Sequence, residues 1–350
     1  MKICLLSSGC LPVPPLGYGG LEQVVADLAI CLDRMGHEVY VFCPDESTID
    51  SYGKITKVGC GPCSPNAREW EAKALELCSP IFLDQRFKDA ILHCHMWTKP
   101  IYLLKQANPK LNVLSTLHGM LPYQSPPPVE KPCMVGISVH HAATIAKGLK
   151  IQTRHVYNGI DLGKYSYYSG ERSDRFLFLA RMTPFKGAHV FTEAMINMGV
   201  KGDLVGDDTM VEDKDFVLRL MMACDQYPNV TYWGGVDRDR TAKFFQQAKC
   251  YVLPCTNGWQ EPFGLTVIEA MACGCPVVAA ASGAIPELIV DGKTGYVVND
   301  IQDLSSYLQD DKIGAIESSE CRSRAEFFSR ERMSEEYVKL YEECVNHGGW

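Results

Sequence analysis

The chain has 350 residues, 46% of them hydrophobic and 22% charged, which is enough apolar material for two domains with separate cores. A disordered chain and a small disulfide scaffold are excluded. The 34 basic and 42 acidic residues leave a net charge of −8, so there is no footprint for a phosphate backbone and nucleic acid is not an expected partner.

The charge is unevenly spread. Residues 1–160 carry 15 Lys and Arg against 13 Asp and Glu, whereas residues 161–350 carry 19 against 29. No apolar run reaches the roughly 18 residues of a membrane span, and no leader-type apolar core precedes the first strand. A cytoplasmic protein without a membrane partner is expected. In that setting the sixteen cysteines read as reduced thiols, many in strand or helix patterns as at Cys4, Cys31, Cys43, Cys94, Cys250 and Cys273.

In chain order, residues 2–7 form an apolar run that predicts a strand, followed by a loop forced by Gly9, Pro12, Pro14, Pro15, Gly17, Gly19 and Gly20. Val24, Val25, Leu28, Ala29 and Leu32 recur at helical spacing up to Gly36, and residues 38–43 read as a second buried strand. The alternation continues with strands at 90–95, 113–117, 134–137 and 155–157, and with helices around 101–106 and over 139–147. Polar residues at 158–161 and 166–174 then break the rhythm. It restarts with strands at 176–180, 203–206, 230–233, 250–254 and 277–280, and with helices from about 187 and over 211–224, 240–248 and 264–273. Strands alternating with helices argue for an α/β fold with parallel, doubly wound sheets. The predicted domains are 1–160 and 161–325. A charged helix over 325–345, with Phe328, Met333, Tyr337, Leu340 and Tyr341 as its apolar face, places residues 326–350 back on the first domain.

Open α/β sheets bind ligands outside the carboxyl ends of their strands, and three segments carry chemistry suited to that place. Gly17-Tyr18-Gly19-Gly20 opens a helix whose free amides can meet an anion; Glu22 stands where a dinucleotide fingerprint would need another glycine. Arg181 and Lys186, five residues apart after a buried strand, can neutralise a diphosphate. Taken alone, a plain turn and a solvated loop fit these two segments as well. The third segment runs from Gln260 to Gly274. Pro262 suits a first helical turn, which places Glu261 just before the helix and Glu269 inside it, about 10 Å away at 1.5 Å per residue. Such a pair can grip two hydroxyl-bearing parts of one extended ligand, with the amides of Gly264 and Leu265 facing an anion between them.

Glu261 to Glu269 is similar to the E-x7-E motif of retaining glycosyltransferases of family 4, which have the GT-B fold. Further segments in the same order resemble that family: 18–22, Gly36-His37-Glu38-Val39, Asn158-Gly159-Ile160-Asp161, 180–187, Val205-Gly206-Asp207, 271–278 and 291–296. The resemblance implies two Rossmann-like domains facing a deep cleft. It also implies transfer of a hexosyl group from a nucleotide-diphosphate sugar, UDP favoured, to a hydroxyl of a small-molecule or glycan acceptor. By that resemblance Arg181 and Lys186 bind the diphosphate, Glu261 the sugar hydroxyls, Glu269 the ribose, and Gly19 and Gly20 a phosphate. Phe263, Gly264 and Leu265 line the donor site, and His118, in Thr116-Leu117-His118-Gly119, stands beside the donor sugar. His118, Glu261, Arg181 and Lys186 are then the catalytic set, with no enzyme nucleophile.

No metal and no cofactor are expected. Asp207, Asp208, Asp237 and Asp239 can be read as metal carboxylates, but in this setting they read better as helix caps. Cys60-Gly61-Pro62-Cys63, with His93, His95 and Cys78 as further ligands, allows a redox or zinc reading; its Gly/Pro/Ser surroundings favour a plain loop. A UDP-sugar epimerase or phosphorylase of the same fold, and a catalytically silent sugar-nucleotide binding protein, are the alternatives. The acceptor is expected on the first domain, near the Pro-rich stretches 44–80 and 119–132 with Trp70, Trp97 and Tyr123.

Overall fold

The computed structural model describes the chain apart from residues 65–69, 71, 77–78, 81–83, 97–98, 120–126, 207–210, 212 and 257. The features predicted at Cys78, Trp97, Tyr123, Asp207 and Asp208 lie outside the described residues. The chain divides into two units, one of residues 1–159 with 330–350 and the other of residues 160–329.

In the first unit β1 (Lys2–Leu6), β2 (Glu38–Cys43), β3 (Thr56–Gly59), β4 (Ile91–Cys94), β5 (Asn112–Thr116), β6 (Met134–Gly136) and β7 (Thr153–His155) form one sheet. Its order is β3-β2-β1-β4-β5-β6-β7 and every pairing is parallel. Helices α1 (Gly20–Arg34), α2 (Lys99–Ala107) and α3 (Val139–Leu149) connect the strands. The central strands are buried along almost their whole length because a parallel sheet is covered on both faces, and β4 and β5 carry the polar His93, Ser115 and Thr116 into that interior. Cys4, Leu6, Phe42, Leu92, Val113 and Met134 share one core.

The C-terminal helix Arg330–His347 belongs to this unit. Its Arg330 guanidinium donates to Asp27 Oδ1 of α1 at 3.0 Å, and Cys344 Sγ lies 3.7 Å from the Val113 carbonyl. Tyr337 and Tyr341 are fully buried.

The second unit repeats the plan. β8 (Phe176–Leu179), β9 (Gly202–Val205), β10 (Val230–Gly234), β11 (Cys250–Leu253), β12 (Val277–Ala280) and β13 (Gly295–Val298) form a parallel sheet ordered β10-β9-β8-β11-β12-β13. Its helices include α4 (Ala188–Met198), α5 (Lys214–Gln226), α6 (Arg238–Gln247) and α7 (Leu265–Ala272).

Several sequence expectations are corrected. β3 and β13 were not foreseen; each is four residues long at a sheet edge, and β3 has no buried position and shows no apolar run, whereas β13 is the apolar Gly295-Tyr296-Val297-Val298 and was passed over. The strand predicted at 155–157 lies at Thr153–His155. Pro262 does not start a helix: α7 begins at Leu265 after Gly264 adopts φ +110°, so the helical rise does not set the Glu261–Glu269 separation. The helix predicted over 325–345 is broken. Helix Ser318–Glu326 ends, the Ile160 amide bonds the Phe328 carbonyl at 2.9 Å, and helix Arg330–His347 follows. Phe328 therefore packs against Phe263 in the second unit, with centroids 5.9 Å apart, and is no part of the C-terminal helix face. Asp237 occupies the N-cap position of α6 without a side-chain capping bond, whereas Asp213 caps α5 by accepting from the Phe216 amide at 2.9 Å.

Strand order reverses between β1 and β4 in the first sheet and between β8 and β11 in the second. These switch points are where open α/β sheets leave room for a ligand beyond the strands' carboxyl ends.

Candidate active site

The segment after β8 is shaped by one close approach. Gly187 has φ +84°, and a Cβ there would lie 1.8 Å from the Pro254 carbonyl oxygen at the end of β11. Only glycine lets these two segments meet. The contact is reinforced by Thr256, whose amide and hydroxyl each donate at 2.9 Å to the carbonyls of Phe185 and Pro184. Lys186, ending the short 3-10 turn Pro184–Lys186, is thereby delivered to the segment that carries Glu261.

There Lys186 Nζ forms an ion pair with Glu261 Oε2, and Trp259 Nε1 donates to the same oxygen at 3.0 Å. The Trp259 ring stacks on Phe185 with centroids 4.3 Å apart, and the Lys186 ammonium lies 5.5 Å from the indole. The Arg181 guanidinium lies 5.7 Å from the centre of the Phe185 ring. The Glu261 backbone is clamped as well: its amide bonds Ser282 Oγ at 3.1 Å and its carbonyl accepts from Ala284 at 2.9 Å. At Gly283, with φ +55°, a Cβ would strike the Glu261 backbone at 2.2 Å. The result is a buried carboxylate with a fixed orientation and a cation beside it, at the switch point of the second sheet.

Glu269 is held differently. Inside α7 it pairs with Arg238 Nη2 of α6 at 2.8 Å, and both side chains are largely buried. Tyr165 also hydrogen-bonds Glu269, and burial, together with that carboxylate, pushes the phenol well above its ordinary range. The Gly264 N-cap supplies no side-chain bond to the first amides of α7. Gly264 is buried and Leu265 half-buried. The Phe263 side chain is fully buried, so any ligand contact there runs through its backbone.

In the first unit Gly19, with φ +146°, is the N-cap of α1, and a Cβ there would lie 2.7 Å from Pro15. Gly20 is the first helical residue and Glu22 is buried in the first turn, where the Ser8 hydroxyl donates to it. His118 follows β5 and is half-buried, with Nε2 2.9 Å from His95 Nδ1. Burial pushes His118 down to about 3 and His141 to about 4, and holds His93 and His95 well below the usual histidine range.

The second unit thus brings together Lys186 and Glu261, with Arg181 beside the Phe185 ring of the same turn, and gives Glu269 a partner of its own. Sequence reasoning missed Trp259, Arg238 and Tyr165. Trp259 lies two residues before Glu261 in an extended segment, and alternation there could have paired them; Arg238 was passed over between two aspartates read as candidate ligands. The fifteen described cysteines are all free, thirteen of them buried. Cys60 is buried and Cys63 half-buried, its amide held by the Glu46 carboxylate at 3.0 and 3.2 Å. Among the described residues no three His, Cys, Asp or Glu side chains gather as a metal-binding group, and no helix is long and apolar enough to cross a membrane.

Residues 18–164 match the family model Glycosyltransferase Family 4, and residues 167–318 match Glycosyl transferases group 1. Spore coat protein SA of Bacillus subtilis is 26% identical over 391 aligned residues, covering 98% of this chain and 99% of that protein. Sucrose-phosphate synthase from Thermosynechococcus elongatus superposes with a TM-score of 0.82 at 22% identity, over 99% of this chain and 100% of the other. Anabaena HepE, solved in complex with UDP-glucose, gives 0.73 at 17% identity, over 98% and 100%. At these identities the solved structures speak for the fold, and the two family models, one on each half of the chain, speak for the lineage. With an all-parallel sheet in each unit and the Glu261–Glu269 segment at the second switch point, the chain belongs to glycosyltransferase family 4 and has the GT-B fold.

Proposed function

We propose that this glycosyltransferase is retaining and metal-independent, and moves a hexosyl group from a nucleoside-diphosphate sugar, a UDP-sugar first among them, to an acceptor hydroxyl. The observation that carries the reading is the Lys186–Glu261–Trp259 cluster with Arg181 on the adjoining turn. The complex of Anabaena HepE with UDP-glucose lends support for the donor class.

The chemistry follows from the donors and acceptors present. Arg181 offers a planar fork to phosphate oxygens, and Lys186, with three N–H donors, can hold Glu261 and a phosphate at once. Among the described residues both side-chain bonds to Glu261 fall on Oε2, and Oε1 is assigned to accept from sugar hydroxyls. Glu269, oriented by Arg238, is assigned to the ribose hydroxyls. The amides of Gly264 and Leu265 at the start of α7 add partial positive charge near the phosphates. In the first unit Gly19 and Gly20 are assigned to a phosphate through their backbone and His118 to the transferred sugar.

In the proposed reaction the bond from the anomeric carbon to the diphosphate breaks through an oxocarbenium-like state. The departing phosphate oxygen takes the acceptor's proton on the same face, so the configuration is kept without an enzyme nucleophile. The protein's task is to stabilise charge growing on the diphosphate, where losing one placed donor costs about 10² to 10³ in rate. The acceptor is assigned to the first unit, and the compartment to the cytoplasm.

A thermal-shift panel of nucleotide sugars, followed by assay of nucleoside diphosphate release with and without EDTA, tests this reading. A shift with at least one donor and release unaffected by EDTA are expected. No shift with any donor, or release abolished by EDTA and rescued by Mn²⁺, refutes it.

A further inference from the structure

The first unit holds a cluster of histidines that the sequence presented as separate residues. His93 is fully buried: its Nδ1 lies 2.8 Å from Tyr341 Oη and its Nε2 2.8 Å from Thr116 Oγ1, which in turn is 3.0 Å from Tyr337 Oη. The His93 ring packs against His95 with centroids 3.9 Å apart and the ring planes tilted by 38°. His95, 2% exposed, joins its Nδ1 to His118 Nε2 at 2.9 Å, while its own Nε2 is buried with no hydrogen-bond partner among the described residues. His118 Nδ1 makes no hydrogen bond among the described residues and lies on a half-buried ring.

These rings are neutral at physiological pH because burial disfavours the cation. What each offers is then set by which nitrogen carries the single proton. A hydrogen bond between two neutral imidazoles needs one donor and one acceptor, so His95 and His118 cannot choose independently. Either both are protonated on Nδ1 or both on Nε2. The second state leaves a buried N–H of His95 without an acceptor, the rarer kind of defect in folded proteins; the first leaves only a lone pair.

We infer that His95 is a positioning residue that locks His118 as its Nδ1–H tautomer, so that the free edge of His118 presents a hydrogen-bond donor. The proton of His95 sits on Nδ1 and is donated to His118 Nε2. The ligand group at His118 must then be an acceptor, such as a sugar hydroxyl oxygen or a phosphoryl oxygen. Tyr341 and Thr116 hold His93 in place against His95, so the C-terminal helix reaches this site through its tyrosines. The catalytic consequence rests on the assignment of His118 to the donor sugar; the tautomer does not.

The test is ¹⁵N–¹H correlation NMR on the full chain labelled at histidine, with His118→Gln used to assign the ring signals. In the wild type, protonated Nδ1 and bare Nε2 are expected on both His95 and His118. A proton on Nε2 of either ring overturns the inference, with no variant needed. In His95→Asn the side-chain amide supplies a donor at the Nδ1 position, so the His118 Nδ1–H persists and kcat/KM stays within about threefold. His95→Leu removes that donor, releases His118 to a mixture of tautomers and lowers kcat/KM about tenfold, the worth of one net hydrogen bond. An unchanged His118 tautomer in His95→Leu overturns the relay. If the tautomer is as inferred but His118→Ala transfers sugar normally, the relay stands and the assignment of His118 to the donor falls.

Discussion

Replacing Lys186 by Met keeps the aliphatic stem and removes the charge, which separates two roles of one residue. Its ion pair with Glu261 joins side chains 16% and 10% exposed, between the surface and the core. Breaking a fully buried pair costs about 3–5 kcal/mol and an exposed one about 0–1, so about 2 kcal/mol is expected where Trp259 still bonds the carboxylate. For a unit of about 170 residues that is a fall in Tm of roughly 4–8 °C. The loss of transition-state stabilisation is larger: turnover falls by about 10² to 10³, or about 2.7–4 kcal/mol. The two effects part in Lys186→Met/Glu261→Gln, where no unpaired charge remains. Stability there recovers most of its loss and activity none. Differential scanning calorimetry and initial rates of nucleoside diphosphate release read both quantities. A single variant less than tenfold slower, or a double variant more active than Lys186→Met, refutes the placing of Lys186 at the diphosphate.

Gly187→Ala puts a Cβ against the Pro254 carbonyl in a left-handed conformation that itself costs about 1–2 kcal/mol; chemical denaturation that finds the variant as stable as the wild type contradicts the close approach. Asp27→Ala takes from Arg330 a carboxylate that is 3% exposed, while Glu331 Oε1 stays 3.2 Å from its Nε, and destabilises by about 3 kcal/mol, whereas Asp27→Leu/Arg330→Met recovers most of it. Urea melts of the first unit's transition in both variants check the pair; equal losses would mean the charge is not what matters. His118 and His141, held at about 3 and about 4 against 6.5, leave the native state with fewer bound protons than the unfolded chain as pH falls. Stability is therefore fully present above pH 6.5 and declines below it, by up to about 1.4 kcal/mol per pH unit for each histidine down to its folded value. Urea melts between pH 7 and pH 5 measure the slope, and His141→Asn reduces it by one proton; a flat profile rules the burial effect out.

The alternation of strands and helices was legible because central parallel strands are buried on both faces and read as unbroken apolar runs, as in β8 and β11. The edge strand β3, Thr56–Gly59, has no buried position and carries no such signal, while the apolar Gly295–Val298 of β13 was read only as part of the 291–296 segment. The break at 327–329 was hidden because neither Pro nor Gly marks it; a bond from Ile160, far away in sequence, ends the helix there. At the site, residue types and loop positions were readable but partners were not. Lys186 meets Glu261 across 75 residues, through a glycine contact with Pro254 that no local pattern records. His118 looked like a lone histidine, yet it ends a chain of rings tied to Tyr341, itself 248 residues from His93. Such pairings depend on which strands become neighbours in the sheet. Motif order suggested that arrangement here only through a family resemblance.

The central claim is that a nucleoside-diphosphate sugar is opened at the anomeric carbon with its configuration kept. Incubating the protein with α-linked UDP-glucose, or with whichever donor the thermal-shift panel selects, and following the anomeric signals by ¹H NMR from the first minutes tests it directly, with water as acceptor if no other is known. Release of nucleoside diphosphate together with α-hexose is expected, the hexose converting to the equilibrium mixture only later. Hexose appearing first as the β anomer would contradict retention, and a donor left intact by a protein that binds it would contradict the assignment of catalysis to this site.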